Sequence, residues 1–190
     1  DMVAALVAAG HDVYAHGWDH RNFRPAEGDD AVAAMARAEA LLQRHRPPPS
    51  PYIVRLPYNA GFTSPAMHRA MRRFQPEIQF AWCSHVLADY EIGNGKRSEA
   101  EIRAACAEVA AAFEQRSDLS GGVLLIRDTP STEPHATAAL TTRTLLPLVL
   151  AALGRRGIKA VALKPRRATG ALARFLFRTA EPCTIGPRQG

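Results

Sequence analysis

Residues 10–23 read Gly10-His11-Asp12-Val13-Tyr14-Ala15-His16-Gly17-Trp18-Asp19-His20-Arg21-Asn22-Phe23. Val13 and Tyr14 form the apolar centre of a short strand expected over residues 11–15. A helix precedes it: Val3, Leu6 and Val7 recur at helical spacing, and Gly10 suits the position after a helix end. At the far end of the strand stand His16 and His20, four residues apart. On one helical turn such a pair shares a face, with Cβ atoms roughly 5–6 Å apart. Two ring nitrogens then converge on one ion, and neutral imidazole suits zinc and other late divalent metals. Taken alone, the same pair also reads as two surface or capping histidines.

Working outward, the pattern alternates. An amphipathic helix is expected over residues 31–44, where Val32, Met35, Ala38, Leu41 and Leu42 line one side, with Asp29 or Asp30 as its cap. The proline cluster from Pro47 to Pro51 stops it and reads as a rigid loop. Tyr52-Ile53-Val54-Arg55-Leu56 is the next strand, and Pro57-Tyr58-Asn59-Ala60-Gly61 an irregular loop. Ser64 or Thr63 caps a helix over residues 65–74, with proline in its first turn. A strand over 79–84 leads to a loop over 85–96 that contains Asp89 and Tyr90. Ser98 and Glu101 form a capping box for a helix reaching about Arg116. The apolar run over 122–127 has the character of a strand covered on both faces. A helix over 136–155 ended by Gly157, a strand over 158–163 and a last helix over 168–177 complete the chain. Such alternation is the mark of βα units on a parallel sheet or barrel. Its unusual residues fall at strand C-terminal ends, the edge where parallel α/β proteins build their sites.

The bulk composition sets bounds. A chain of 190 residues, 47% hydrophobic and 22% charged, can bury a real core. It is expected to form a single domain over 1–190, with 163–190 as a peripheral C-terminal tail. The net charge of +6 comes from scattered arginines, so nucleic acid is not an expected partner. The exception is the basic run from Lys164 to Arg174, which reads as a solvated face. Its alternative role is that of a docking strip for an anionic polymer. Cys83, Cys106 and Cys183 are far apart and odd in number, which points to reduced thiols. No apolar run reaches the ~18–20 residues of a membrane span. These features do not determine oligomeric state or compartment.

The segment Gly10 to His20 resembles the metal-binding segment of the polysaccharide deacetylases (carbohydrate esterase family 4, the chitooligosaccharide deacetylase homology domain). Arg55-Leu56-Pro57-Tyr58 resembles that family's R-x-P-Y groove motif, and Asp89-Tyr90 resembles its Asp-Trp wall. Gly122 to Asp128 sits where the family has a strand ending in Leu-His. Leu145 to Leu163, with Arg156-Gly157-Ile158, resembles its closing pattern. The resemblance runs to about Leu163.

This resemblance implies a deformed (β/α) barrel and removal of acetyl groups from N-acetylated sugars or polysaccharide. It implies a divalent metal, zinc first, with cobalt, nickel or manganese as alternatives, and His16 and His20 match the two histidine ligands. Tyr58 matches the residue whose backbone N–H helps hold the oxyanion, Arg55 the arginine that orients the base, and Asp89 the carboxylate that tunes the acid-side histidine. Trp18, Pro57, Tyr90 and Leu125 are candidate surfaces for the acetyl group or sugar ring.

Two departures stand out. The family's Asp-Asp motif, which supplies the general base and the third ligand, has no counterpart in this chain. The expectation is therefore a barrel lacking its first one or two βα units. Arg127 stands where the family has its acid histidine, and arginine does not donate a proton near neutral pH. The alternative function is accordingly a degenerate, non-catalytic member that binds carbohydrate.

Overall fold

The computed structural model describes residues 1–94, 97–128, 138–163 and the backbone of 183–185. The expected helix over 168–177 and the basic run from Lys164 lie outside them. The chain is mixed α/β, and among the described residues every strand pair is parallel. It divides into two compact units, one built on Asp1–Trp82 and one on Cys83–Val161 together with the last strand.

In the first unit, α1 (Met2–Ala8) and α2 (Gly28–Leu42) precede β1 (Tyr52–Val54), α3 (Pro65–Phe74) and β2 (Ile78–Phe80). β1 and β2 pair in register, Tyr52 opposite Ile78 and Val54 opposite Phe80. α2 begins before the expected Asp cap, at Gly28, so Asp29 and Asp30 sit in its first turn, where a helix dipole favours negative charge. Gly28 is needed there: a Cβ would lie 2.6 Å from the Cβ of Ala70 on α3. α3 starts as expected, with the Ser64 hydroxyl accepting the Met67 N–H and Pro65 in the first turn. Met35, Tyr52, Val54, Leu56, Met67 and Met71 are buried in the core between these elements.

The expected strand over 11–15 does not join a sheet. Its backbone is bonded by side chains instead. The Arg46 Nε donates to the Val13 carbonyl at 2.8 Å, and the Ala15 N–H donates to the Tyr52 hydroxyl at 2.9 Å. Tyr52 in turn donates to Glu39 Oε2 at 2.7 Å, and Arg46 grips both Glu39 oxygens at 2.5 and 3.0 Å. Glu39 is only 2% exposed. A buried carboxylate is tolerable only when paired and hydrogen-bonded, and here every bond it accepts comes from a group that also holds residues 13–15. Burial, and then the bond to Glu39, push the Tyr52 phenol well above its ordinary range, so it remains a donor.

In the second unit, β3 (His85–Leu87) is central, with β4 (Leu124–Leu125) on one side and β5 (Cys183–Ile185) on the other. α4 (Asp89–Asn94) follows β3 directly. A strand and a short helix therefore replace the loop expected over 85–96, and the expected strand over 79–84 shortens to β2. α5 (Glu99–Glu114) carries the expected capping box: Ser98 Oγ accepts the Glu101 N–H and Glu101 accepts the Ser98 N–H. It packs on α6 (Ala138–Arg155) through Ile102, Cys106, Val109 and Phe113 against Leu145, Val149 and Ala152.

β4 is shorter and more exposed than the apolar run over 122–127 suggests. The Val123 N–H is taken by the Ser84 hydroxyl at 2.8 Å, so the ladder starts only at Leu124. Residues 158–163 form no strand, and Val161 is 77% exposed. Cys83 and Cys106 are both buried, and burial pushes the Cys106 thiol up to about 11, so it stays protonated. Among the described residues the strands make two separate sheets, and no helix is long and apolar enough to cross a membrane.

The buried network gives the first testable outcome. Glu39→Ala leaves Arg46 unpaired and is expected to cost about 3–5 kcal/mol of stability. Tyr52→Phe orphans the Ala15 N–H and is expected to cost about 1–3 kcal/mol. Denaturant midpoints of the two variants against the parent chain check both values.

Candidate metal half-site and the Asp89–Arg127 pair

The first cluster lies in the first unit. Its footing is the network just described, which holds residues 13–15 alongside β1. His16 follows immediately, and its Nδ1 lies 2.5 Å from the backbone carbonyl of Arg55. A carbonyl only accepts, so Nδ1 carries a proton, and in the neutral imidazole the lone pair is then on Nε2. That is the arrangement of metal-ligating histidines, whose second nitrogen is commonly bonded to a carbonyl or carboxylate.

Gly17 then turns the chain at φ 96°, a conformation that glycine adopts without cost, and its Cα side faces the ring of Pro57. The turn brings His20 back to His16, ring centroids 5.3 Å apart and tilted by 59°. The two imidazoles therefore meet across a bend, not along the helical turn used to read their spacing.

The Tyr58 ring stands edge-on to His20 at 5.1 Å. Tyr58 and Asn59 follow the buried Leu56 and Pro57 in a single 3₁₀ turn. Among the described residues three non-glycine positions have left-handed backbone: His20 at φ 52°, Tyr58 at 57° and Asn59 at 59°. Asn adopts this region readily, whereas a bulky Tyr held there costs on the order of 1–3 kcal/mol. The three lie together around the His20–Tyr58 ring contact. Trp18 is exposed, and the guanidinium of Arg37 lies 3.6 Å over its ring.

The second cluster lies in the second unit. Asp89, fully buried at the start of α4, accepts the Arg127 backbone N–H at 2.6 Å and its guanidinium at 2.5 Å. The same guanidinium lies 4.7 Å from the centre of the Tyr90 ring, and Thr142 Oγ1 donates to the Arg127 carbonyl at 2.5 Å. Arg127 is thus fixed as a permanent cation on a short leash. Leu125 is half-buried in β4.

Nearby, His85 Nδ1 lies 2.8 Å from the Ser84 hydroxyl, and its Nε2 is 3.3 Å from Asp118 Oδ1 at ion-pair distance without hydrogen-bond alignment. The Ser84 oxygen already accepts the Val123 N–H, so this trio ties strands together and does not present a nucleophile.

The residues fit part of a metal site. His16 and His20 offer two imidazoles with one tautomer already set, and among the described residues no group of three His, Cys, Asp or Glu side chains converges. Glu39, Arg46 and Tyr52 escaped the sequence reading. Their signal was there: Glu39 lies four residues after Met35 on the buried stripe of α2, where a charge has to have a partner.

Residues 1–75 match the family model described as polysaccharide deacetylase. No curated protein and no solved structure matches the chain. That family is one of carbohydrate deacetylases, typically metal-dependent. The matched span contains His16, Trp18, His20, Arg55, Pro57 and Tyr58. Asp89, Tyr90, Leu125 and Arg127 lie beyond it.

His16→Ala is expected to weaken zinc binding by more than the 10–100-fold that loss of a supporting contact costs. Competition against a chromogenic chelator measures it, and an unchanged affinity would remove His16 from the site.

Proposed function

We propose that the chain is a metal-dependent hydrolase that removes acetyl groups from N-acetylated sugars or polysaccharide. The proposed frame is a single domain over 1–190, a deformed (β/α) barrel. One observation carries most of the weight: the Nδ1–H of His16 is committed to the Arg55 carbonyl, which turns Nε2 into a ligand nitrogen beside His20.

In this proposal His16 and His20 hold the ion, zinc first and cobalt, nickel or manganese as alternatives. When bound, a divalent ion supplies a Lewis acid for the acyl carbonyl and a water of lowered pKa. The remaining work falls to the chain's own groups. The backbone N–H of Tyr58 holds the oxyanion, and the left-handed backbone fixes that donor before substrate arrives. Arg55, at the end of β1, orients the catalytic base. Pro57 and Trp18 border the sugar, with Tyr90 and Leu125 as further surfaces. Arg127 does not act as the acid. Held by Asp89, it contributes fixed positive charge to a developing oxyanion.

A second reading has a specific observation in its favour. The Asp89 carboxylate, which in the family's scheme tunes an acid histidine, is here saturated by Arg127. A binding-only, non-catalytic family member would keep such a pair. Acetate release from N-acetylated chitooligosaccharides by the zinc-loaded full chain separates the two. The hydrolase proposal expects zinc-dependent release, reduced about 10²–10³-fold in kcat by Arg127→Met, the usual cost of losing one oxyanion-stabilising group. Oligosaccharide binding without any acetate release would establish the binding-only reading.

A further inference from the structure

Beside His16 the first unit contains a cleft of about 370 Å³, walled by α1, α2 and residues 14–18. That volume is at the small-ligand end of the range for binding pockets. Its aliphatic wall is Val3, Ala38, Leu41 and Leu42, and His16 and Trp18 close the side toward the metal half-site. The wall is not sealed by the fold: Leu41 is 43% exposed, and no residue of α1 is buried. This is apolar surface held open next to a candidate ligand of the metal.

The lining discriminates between ligand chemistries. A sugar ring brings hydroxyls, each costly to desolvate without a partner. The aliphatic wall offers none; besides His16, the polar side-chain atoms of the lining are the Tyr14 hydroxyl, the Trp18 Nε1 and those of His45 and Asp1, the last two facing each other at 3.3 Å. A flat aromatic ligand needs a free ring face. Tyr14 is committed edge-on to Tyr52 at 5.2 Å, and Arg37 covers one face of Trp18. A flexible aliphatic chain asks for neither.

We propose that this cleft receives the alkyl part of an N-acyl group longer than acetyl. The substrate class becomes an amino sugar bearing a short fatty acyl chain, with its carbonyl at His16 and its tail between α1 and α2. The proposal rests on the amide-hydrolase reading of the His16–His20 site and deepens it.

The test is calorimetric titration of the full chain, with and without zinc, with N-acetyl-, N-butanoyl-, N-hexanoyl- and N-octanoylglucosamine. Affinity is expected to rise with chain length, by up to about fourfold per methylene, the worth of a buried CH₂. Ala38→Phe, which fills the cleft, and Leu41→Glu, at an exposed position that tolerates change, are each expected to abolish the rise and leave zinc affinity unaltered. A flat series in the parent chain, or a rise that persists in both variants, overturns the proposal. Zinc affinity is read on the same samples. A flat series with zinc still bound therefore defeats the cleft alone, and loss of zinc binding with the rise intact defeats the metal reading alone.

Discussion

The Glu39 carboxylate is the constraint on which the first unit turns. It is buried on the inner stripe of α2 and would be ruinous there alone. Arg46 and Tyr52 both donate to it, and both also reach the neighbouring segment: the Arg46 Nε donates to the Val13 carbonyl, and the Tyr52 hydroxyl accepts the Ala15 N–H. A segment that no sheet accepts is thereby fixed beside β1, and the residue after it is His16. Local sequence, core electrostatics and the candidate ligand are thus linked by a few hydrogen bonds.

The two candidate clusters show different physics. Around His16 and His20 the backbone is strained and the side chains are exposed, with Tyr58 66% accessible. In the proposed reading, exposure gives a ligand access and the strain fixes donors in advance. Around Asp89 the opposite holds. The carboxylate is fully buried, and backbone and guanidinium of one residue saturate it. A charged pair of that kind confers position more than stability, because its desolvation cost offsets much of its attraction. What it positions is the face that Arg127 shares with Tyr90.

Much of this was legible in the sequence wherever a period or a cap carried the signal. The helices near Ala31, Pro65, Ser98 and Leu145 follow from apolar stripes, from Ser64 and from the Ser98–Glu101 box, and the observed ends differ by a few residues. Strands were harder. At two or three residues each they are too short to show alternation, and β3 lies in a stretch that reads as loop. Residues 11–15 have a strand's composition but lack a strand's partners, since side chains 30 or more positions away take the bonds. The histidine pair was found by a spacing that fits a helix, yet a glycine turn brings the rings together. Arg127 was singled out for the proton it cannot give. That Asp89 would hold it depends on burial, which no local pattern encodes.

The central claim is that the Glu39–Arg46–Tyr52 network presets His16 as a ligand by placing its Nδ1–H on the Arg55 carbonyl. Long-range ¹H–¹⁵N correlation spectra of the histidine side chains, recorded above the imidazole pKa without metal, report the tautomer of His16 directly. The account predicts the Nδ1–H tautomer in the parent chain and a shift toward the Nε2–H form in Tyr52→Phe. A His16 that is already Nε2–H in the parent chain, or one whose tautomer ignores the Tyr52 substitution, would contradict it.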